Sequence, residues 1–121
     1  MIAAVALLPS CSPPVIDISV ASVGGRTRLT LSQDWGLIFS DKQTPCVREV
    51  SVRNGPDTYD RKNAVWLIET KGDVQCLDLA TVAVGTVPNG WQQVVPLRAV
   101  RGRSYTVRTD GIGWGETHVT F

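Results

Sequence analysis

The sequence predicts an all-β protein, an antiparallel β-sandwich of seven to eight short strands. Apolar and polar residues alternate with a period of two in several runs, and turn residues recur about every 8 to 12 residues. No helical apolar period persists for the ~11 residues of an ordinary helix, so parallel strands would lack their crossovers. At 121 residues the chain is long enough for one core. We therefore expect a single domain over residues 15–121.

The first strands show the alternation most clearly. Residues 15–23 place Ile16, Ile18 and Val20 on one face, which is typical of a half-buried strand. Alternation around Leu29 and Leu31 predicts a second strand, and residues 35–39 predict a third.

Two central strands are expected next. Residues 46–53 place Val50 and Val52 on one face, although Arg48 falls on that face too and must snorkel or lie near an edge. Residues 64–70 are apolar on both faces, which indicates a central strand. The polar residues 54–63 between them predict a mobile surface connection.

The remaining strands are shorter. Residues 74–87 predict one or two strands, and Pro88-Asn89-Gly90 ends them. Residues 104–109 and 117–121 predict a closing hairpin that begins at Asp110-Gly111.

The amino terminus is predicted to be an export signal. Residues 2–8 are continuously apolar but far shorter than the ~20 residues that span a bilayer. We assign residues 1–10 to a signal peptide; no Lys or Arg precedes the run, which leaves open a start codon upstream of Met1. The alternative is that residues 2–8 form a first strand and Cys11 is a buried thiol.

The motif Leu8-Pro9-Ser10-Cys11 resembles the lipobox of bacterial lipoproteins. The resemblance implies that Cys11 is lipidated on its thiol and becomes the first residue of the mature chain. Residues 11–14 would then be a short anchor linker. It also implies a bacterial cell-envelope location, facing the periplasm and attached to a membrane through the lipid.

The cysteine count agrees with export. If Cys11 carries a lipid, Cys46 and Cys76 remain as an even pair, which an oxidising compartment would join as a disulfide. A metal site is not expected, because the chain has no Cys-x-x-Cys and a single histidine. Cysteine nucleophile chemistry is left open.

Residues 97–109 resemble the Gly-x-x-Tyr-x-Val stretch of fibronectin type III and related immunoglobulin-like domains. The resemblance implies a tyrosine corner, in which the Tyr105 hydroxyl bonds to backbone in the connection over residues 88–103. Val107 stands where immunoglobulin domains proper have their second disulfide cysteine.

Overall charge identifies no partner, since the formal net charge is +1. Residues 79–109 contain no acidic residue, however, and carry Arg98, Arg101 and Arg103. This local positive charge predicts either a solvated strand face or contact with an anionic partner. It is not interleaved with aromatic residues, so nucleic acid is not an expected partner.

The four tryptophans fall into two groups. Trp35 and Trp66 lie among apolar residues and are predicted to be core. Trp91 and Trp114 follow glycines in predicted loops, where a large ring indicates either an edge cover or a partner contact.

No catalytic constellation or cofactor motif is recognisable. Residues 111–115 alternate glycine, but no helix follows to complete a phosphate cradle. His118 is predicted to face solvent, and no pair of carboxylates stands out by spacing.

These observations favour a lipid-anchored envelope domain without catalytic activity that binds or scaffolds an envelope protein or an anionic envelope polymer. The alternative is a soluble periplasmic inhibitor or accessory subunit, which would present residues 54–63 or 111–115 as a rigid loop. A small β-sandwich enzyme is the third possibility.

Overall fold

The structure is a computed structural model that describes residues 15–34, 43–55 and 61–121. The predicted signal peptide, Cys11, the strand predicted at residues 35–39 with Trp35, and most of the connection at 54–63 lie outside the described residues.

Strands are the dominant secondary structure of the described residues, which confirms the predicted fold class. They form nine strands, two of which are only two or three residues long. The strands are β1 Ile16–Val23, β2 Arg26–Gln33, β3 Cys46–Arg53, β4 Ala64–Thr70, β5 Leu77–Asp78, β6 Thr81–Ala83, β7 Trp91–Val95, β8 Ser104–Gly111 and β9 Trp114–Thr120. A short 3-10 helix, Arg61–Asn63, precedes β4. Nothing among these residues forms a helix able to cross a bilayer.

The strands form two antiparallel sheets. The smaller sheet has the order β1-β2-β6, and the larger has the order β7-β4-β3-β8-β9 with β5 paired to the start of β3. A parallel bridge between Val15 and Trp114 joins the start of β1 to the start of β9. The two sheets therefore lie against each other along β1 and β9.

One apolar core fills the space between the sheets. The smaller sheet contributes Ile16, Leu29, Leu31 and Val82, and the larger contributes residues of β3, β4, β7, β8 and β9. The core residues of the larger sheet include Val50, Val52, Trp66, Ile68, Trp91, Tyr105, Val107 and Val119. Trp66 is fully buried, which confirms its predicted place in the core.

The prediction for Arg48 is wrong. The pairing of β3 with β8 shifts register between Val47 and Glu49, so Arg48 has no partner residue in that register. This bulge buries Val47 in the core with Val50 and Val52, while Arg48 is exposed. The extra residue at the bulge thus turns Arg48 away from the inner face, to which strict alternation would assign it.

The loop prediction for Trp91 is also wrong. Trp91 begins the edge strand β7, pairs with Thr70 of β4, and is 2% exposed in the core. The sequence of β7 gave no alternation signal because its next three residues are all exposed. With its ring buried, Trp91 has almost no surface left for a partner contact, one of the two roles that the sequence predicted for it.

The predicted disulfide is present. Cys46 at the start of β3 is bonded to Cys76, which precedes β5, and the Cα atoms are 5.3 Å apart. The bond closes a loop of 30 residues. It attaches the connection between β4 and β5 to the first residue of β3.

A glycine allows β1 and β9 to approach closely. A Cβ at Gly115 would overlap the backbone carbonyl oxygen of Ile16. Gly111 is in the same position against the Cys46 carbonyl oxygen, so both glycines serve packing, and no helix follows them.

Candidate functional site

The candidate site lies on the connection between β7 and β8. We call residues 97–103 the arginine segment, because it carries Arg98, Arg101 and Arg103, all of which are exposed. Its backbone is fixed at two points: the Arg98 N–H donates to the Val65 carbonyl at 2.8 Å, and the Gly102 N–H donates to the Phe121 carbonyl at 2.7 Å. The three cations therefore project from a fixed backbone.

Tyr105 supplies a third attachment, and it confirms the predicted tyrosine corner. Its ring is 2% exposed, and its hydroxyl oxygen accepts a hydrogen bond of 2.7 Å from the Val100 backbone N–H. The ring centroid lies 5.7 Å from that of Phe121. This contact holds the arginine segment against the end of β9.

An apolar groove runs beside the arginine segment. Its volume is about 440 Å³, and its walls come from the β1–β2 hairpin, the arginine segment and the end of β9. Leu97, Ala99 and Phe121 form its apolar surface, and Arg101 lies at its edge. Leu97 is 41% exposed, so the groove presents apolar surface to a ligand.

Among the described residues, no side-chain carboxylate is paired with the arginine segment. In the part of the chain that the structure describes, Arg98, Arg101 and Arg103 take part in no ion pair, and no groove-lining residue is acidic. A cation next to apolar surface favours ligands that carry both negative charge and apolar groups.

Arg108 is different from the other arginines of this basic stretch. Its guanidinium lies 2.9 Å from Asp110 and 2.8 Å from Glu116, on the outer face of the larger sheet. Burial alone would lower the pKa of Arg108, but hydrogen bonds and charges from Asp110 and Glu116 outweigh it and raise the pKa. Arg108 is thus structural and does not contribute to the free positive charge.

Trp114 lies on this ion-paired arginine. Its ring centroid is 5.3 Å from the Arg108 guanidinium carbon, and the residue is 40% exposed. The structure places it at the start of β9 and not in a loop as predicted. Trp114 and Trp91 do not form a common exposed surface for a partner, because Trp91 is buried in the core.

A polar network on the outer face of the larger sheet was not predicted from the sequence. Arg53 is 2% exposed and donates to Glu49 and to Ser51, both at 2.7 Å. Glu69 faces Glu49 across β3 and β4, and Arg61 lies 3.2 Å from Glu69. Polar residues at outward positions of β3 and β4 were the sequence signal that could have identified this network. Matching those residues with one another also required the order of the strands in the sheet.

Four carboxylates of the described residues are held by arginines. Glu49, Glu69, Asp110 and Glu116 each lie in an ion pair with an arginine. His118 is exposed, which confirms its predicted orientation. Within residues 15–34, 43–55 and 61–121 no three metal-ligating side chains lie together.

Comparison with known proteins gives no match. No protein-family profile matches this chain, and neither the curated proteins nor the solved structures contain a significant match.

Proposed function

We propose that this chain is a lipid-anchored binding or scaffold domain of the bacterial cell envelope, without catalytic activity. The apolar run at residues 2–8 and the lipobox-like Leu8-Pro9-Ser10-Cys11 support the anchor. The disulfide between Cys46 and Cys76 is consistent with an oxidising compartment such as the periplasm. The ion pairing of the four carboxylates named above is consistent with a non-catalytic role.

We also propose that the sandwich is of the fibronectin type III and immunoglobulin-like kind. The Tyr105 hydroxyl, bonded to the Val100 N–H upstream of β8, supports this proposal. The disulfide differs from the bridge between sheets in antibody domains, since it joins the start of β3 to the chain just before β5.

The observation that carries the proposed function is the positive charge of the arginine segment, which no side-chain carboxylate of the described residues pairs, beside an apolar groove. Three exposed arginines on a fixed backbone have no ion pair among the described residues. Such a surface attracts an anionic partner and gives it apolar contacts in the groove. The proposed partner is an envelope protein or an anionic envelope polymer.

Chain length separates this surface from the proposed membrane anchor. Val15 follows Cys11 by four residues, which span at most ~14 Å. β1 then runs for eight residues, or ~26 Å, toward the hairpin that lines the groove. An anchored domain would therefore present the arginine segment away from the bilayer, where an envelope partner can reach it.

The test is crosslinking in whole envelopes followed by affinity purification of the tagged full chain. We compare the parent with a variant in which Arg98, Arg101 and Arg103 are replaced by Ala. The parent is expected to give a discrete crosslinked product, and the triple variant is expected to lose it. Digestion of the envelope polymer before purification distinguishes a polymer partner from a protein.

A control variant removes the same charge elsewhere. Arg28, Lys62 and Lys71 are exposed and do not line the groove, and replacing them by Ala should leave the product unchanged. Equal yields from the parent and the arginine-segment variant would contradict the proposal.

One observation favours the second candidate, a soluble periplasmic inhibitor. Ile112 is 57% exposed in the two-residue loop that joins β8 to β9, and its N–H donates to the carbonyl of the disulfide-bonded Cys46. A single apolar side chain on a loop fixed in this way resembles the rigid loop that an inhibitor inserts into its target. Loss of a crosslinked protein with Ile112→Ser, but not with the arginine variant, would favour this candidate.

A further inference from the structure

We propose that Val15, Ile112 and Trp114 form a membrane-contacting patch, the N-terminal patch, which orients the domain on the bilayer. The inference rests on the proposed lipid anchor at Cys11. It gives the domain a second functional surface, which lies at the end of β1 opposite to the groove.

The three residues lie at one end of the sandwich. The parallel bridge places Val15 beside Trp114, and Ile112 lies two residues before Trp114 in the β8–β9 loop. Val15 and Ile112 are each 57% exposed, and Trp114 is 40% exposed. Exposed apolar side chains grouped in this way indicate a contact surface.

The Trp114 ring is held in place before any contact forms. It lies over the Arg108 guanidinium, which Asp110 and Glu116 hold in turn. A side chain that is already ordered loses little conformational entropy on binding. The ring is apolar and carries one N–H donor, a combination that favours the boundary between lipid headgroups and acyl chains.

The chain length selects the bilayer as the occupant of the patch. Only Ser12, Pro13 and Pro14 separate Cys11 from Val15, so an acyl-modified Cys11 would hold the patch within ~14 Å of the lipid. Arg48 is exposed and lines the same depression as Ile112 and Asp110. Because Asp110 is ion-paired with Arg108, the Arg48 cation can meet lipid phosphates there. These two features favour a bilayer over a protein partner.

The test uses the full chain, purified from membranes with its native modification and reconstituted into phosphatidylethanolamine and phosphatidylglycerol vesicles. Bromine atoms on the upper acyl chain quench nearby tryptophan emission. Emission of the parent should fall in brominated vesicles relative to unbrominated ones, and Trp114→Phe should lose most of that quenching. Trp66 and Trp91 are only 0% and 2% exposed, so both should contribute little to the quenching.

Two further variants control for changes in folding. Ile112→Ser removes apolar surface from an exposed position of the patch and should reduce the quenching of Trp114. Val23→Ser removes it from the other end of β1, where Val23 is 45% exposed, and should leave quenching at the parent level.

The outcomes separate this inference from the function on which it rests. If the protein floats with the vesicles but Trp114→Phe and the parent are quenched equally, the patch proposal is overturned and the anchor stands. If the patch instead crosslinks to a second copy or to another protein without bromine quenching, it is also overturned. A chain that does not float with vesicles overturns both the anchor and the patch.

Discussion

Tyr105 shows how a single hydroxyl orders the candidate site. The ring packs in the core beside Phe121, and the hydroxyl oxygen receives the Val100 N–H. Val100 lies between Arg98 and Arg101, so this bond fixes the middle of the arginine segment. The sequence predicted the buried ring and its hydrogen bond to backbone, and the structure shows that the backbone group is a donor, the Val100 N–H.

Replacing Tyr105 by Phe should therefore destabilise the protein. The ring keeps its packing, but the Val100 N–H loses its partner, so the free energy of unfolding should fall by about 1 kcal/mol or more. Denaturant unfolding of the parent and the variant measures this change, with the slope m unchanged.

The control for this measurement is His118→Ala, at an exposed position on β9. It should change the free energy of unfolding by less than about 0.5 kcal/mol, as surface substitutions usually do. A Tyr105→Phe effect no larger than that of the control would contradict the role given to this hydroxyl.

Arg53 is a residue that sequence patterns could not interpret. Its outward position on β3 predicts exposure, yet it is 2% exposed and bonded to Glu49 and Ser51. Its partners lie two and four residues earlier on the same face of the strand. The burial of that face depends on neighbouring elements, which a strand pattern does not encode.

At the scale of elements, most strands were predictable and the edge strand β7 was not. The predicted bounds of β3 and β4, residues 46–53 and 64–70, match the structure, because β4 is a continuous apolar run and β3 stops at the turn residues Asn54 and Gly55. β8 begins at Ser104 as predicted, while β9 begins three residues earlier than predicted.

The edge strand β7 was missed for a physical reason. It pairs only with β4, and its register shifts between Leu67 and Ile68, so alternation is interrupted by a bulge. Three of its five residues are exposed, which leaves no apolar period to read. Because the burial of Trp91 depends on the pairing of β7 with β4, missing the strand also meant missing the burial of Trp91.

The disulfide links two elements and should contribute strongly to stability. Replacing both Cys46 and Cys76 by Ser frees a loop of 30 residues in the unfolded chain. The free energy of unfolding should fall by about 3 kcal/mol, because the unfolded chain without the bond regains the conformational entropy that closing the loop removes. Denaturant unfolding of the oxidised parent and the double variant measures the difference.

Reduction provides the matched control for the double variant. The parent unfolded in the presence of a thiol reductant should approach the stability of the double variant, and the variant itself should not respond to reductant. Equal stability of the oxidised parent and the double variant would contradict the stabilising role of the bond.

At the scale of the whole molecule, two different surfaces lie at opposite ends of β1. The N-terminal patch is beside Val15, and the groove is beside the hairpin after Val23. The sequence identified the components of both ends, namely the three arginines and Trp114. The groove could not be predicted, because it joins residues near position 25 to residues near 100 and 120.

Lipidation of Cys11 is the premise that orients both surfaces, and its measurement is the most direct test of the account. The parent and Cys11→Ser are expressed with a palmitate analogue, and the mature amino-terminal peptide is analysed by mass spectrometry. The parent should begin at Cys11 and carry the label, and Cys11→Ser should carry none. Equal labelling of the two chains, or a parent that retains residues 1–10 without label, would contradict a lipid-anchored envelope domain.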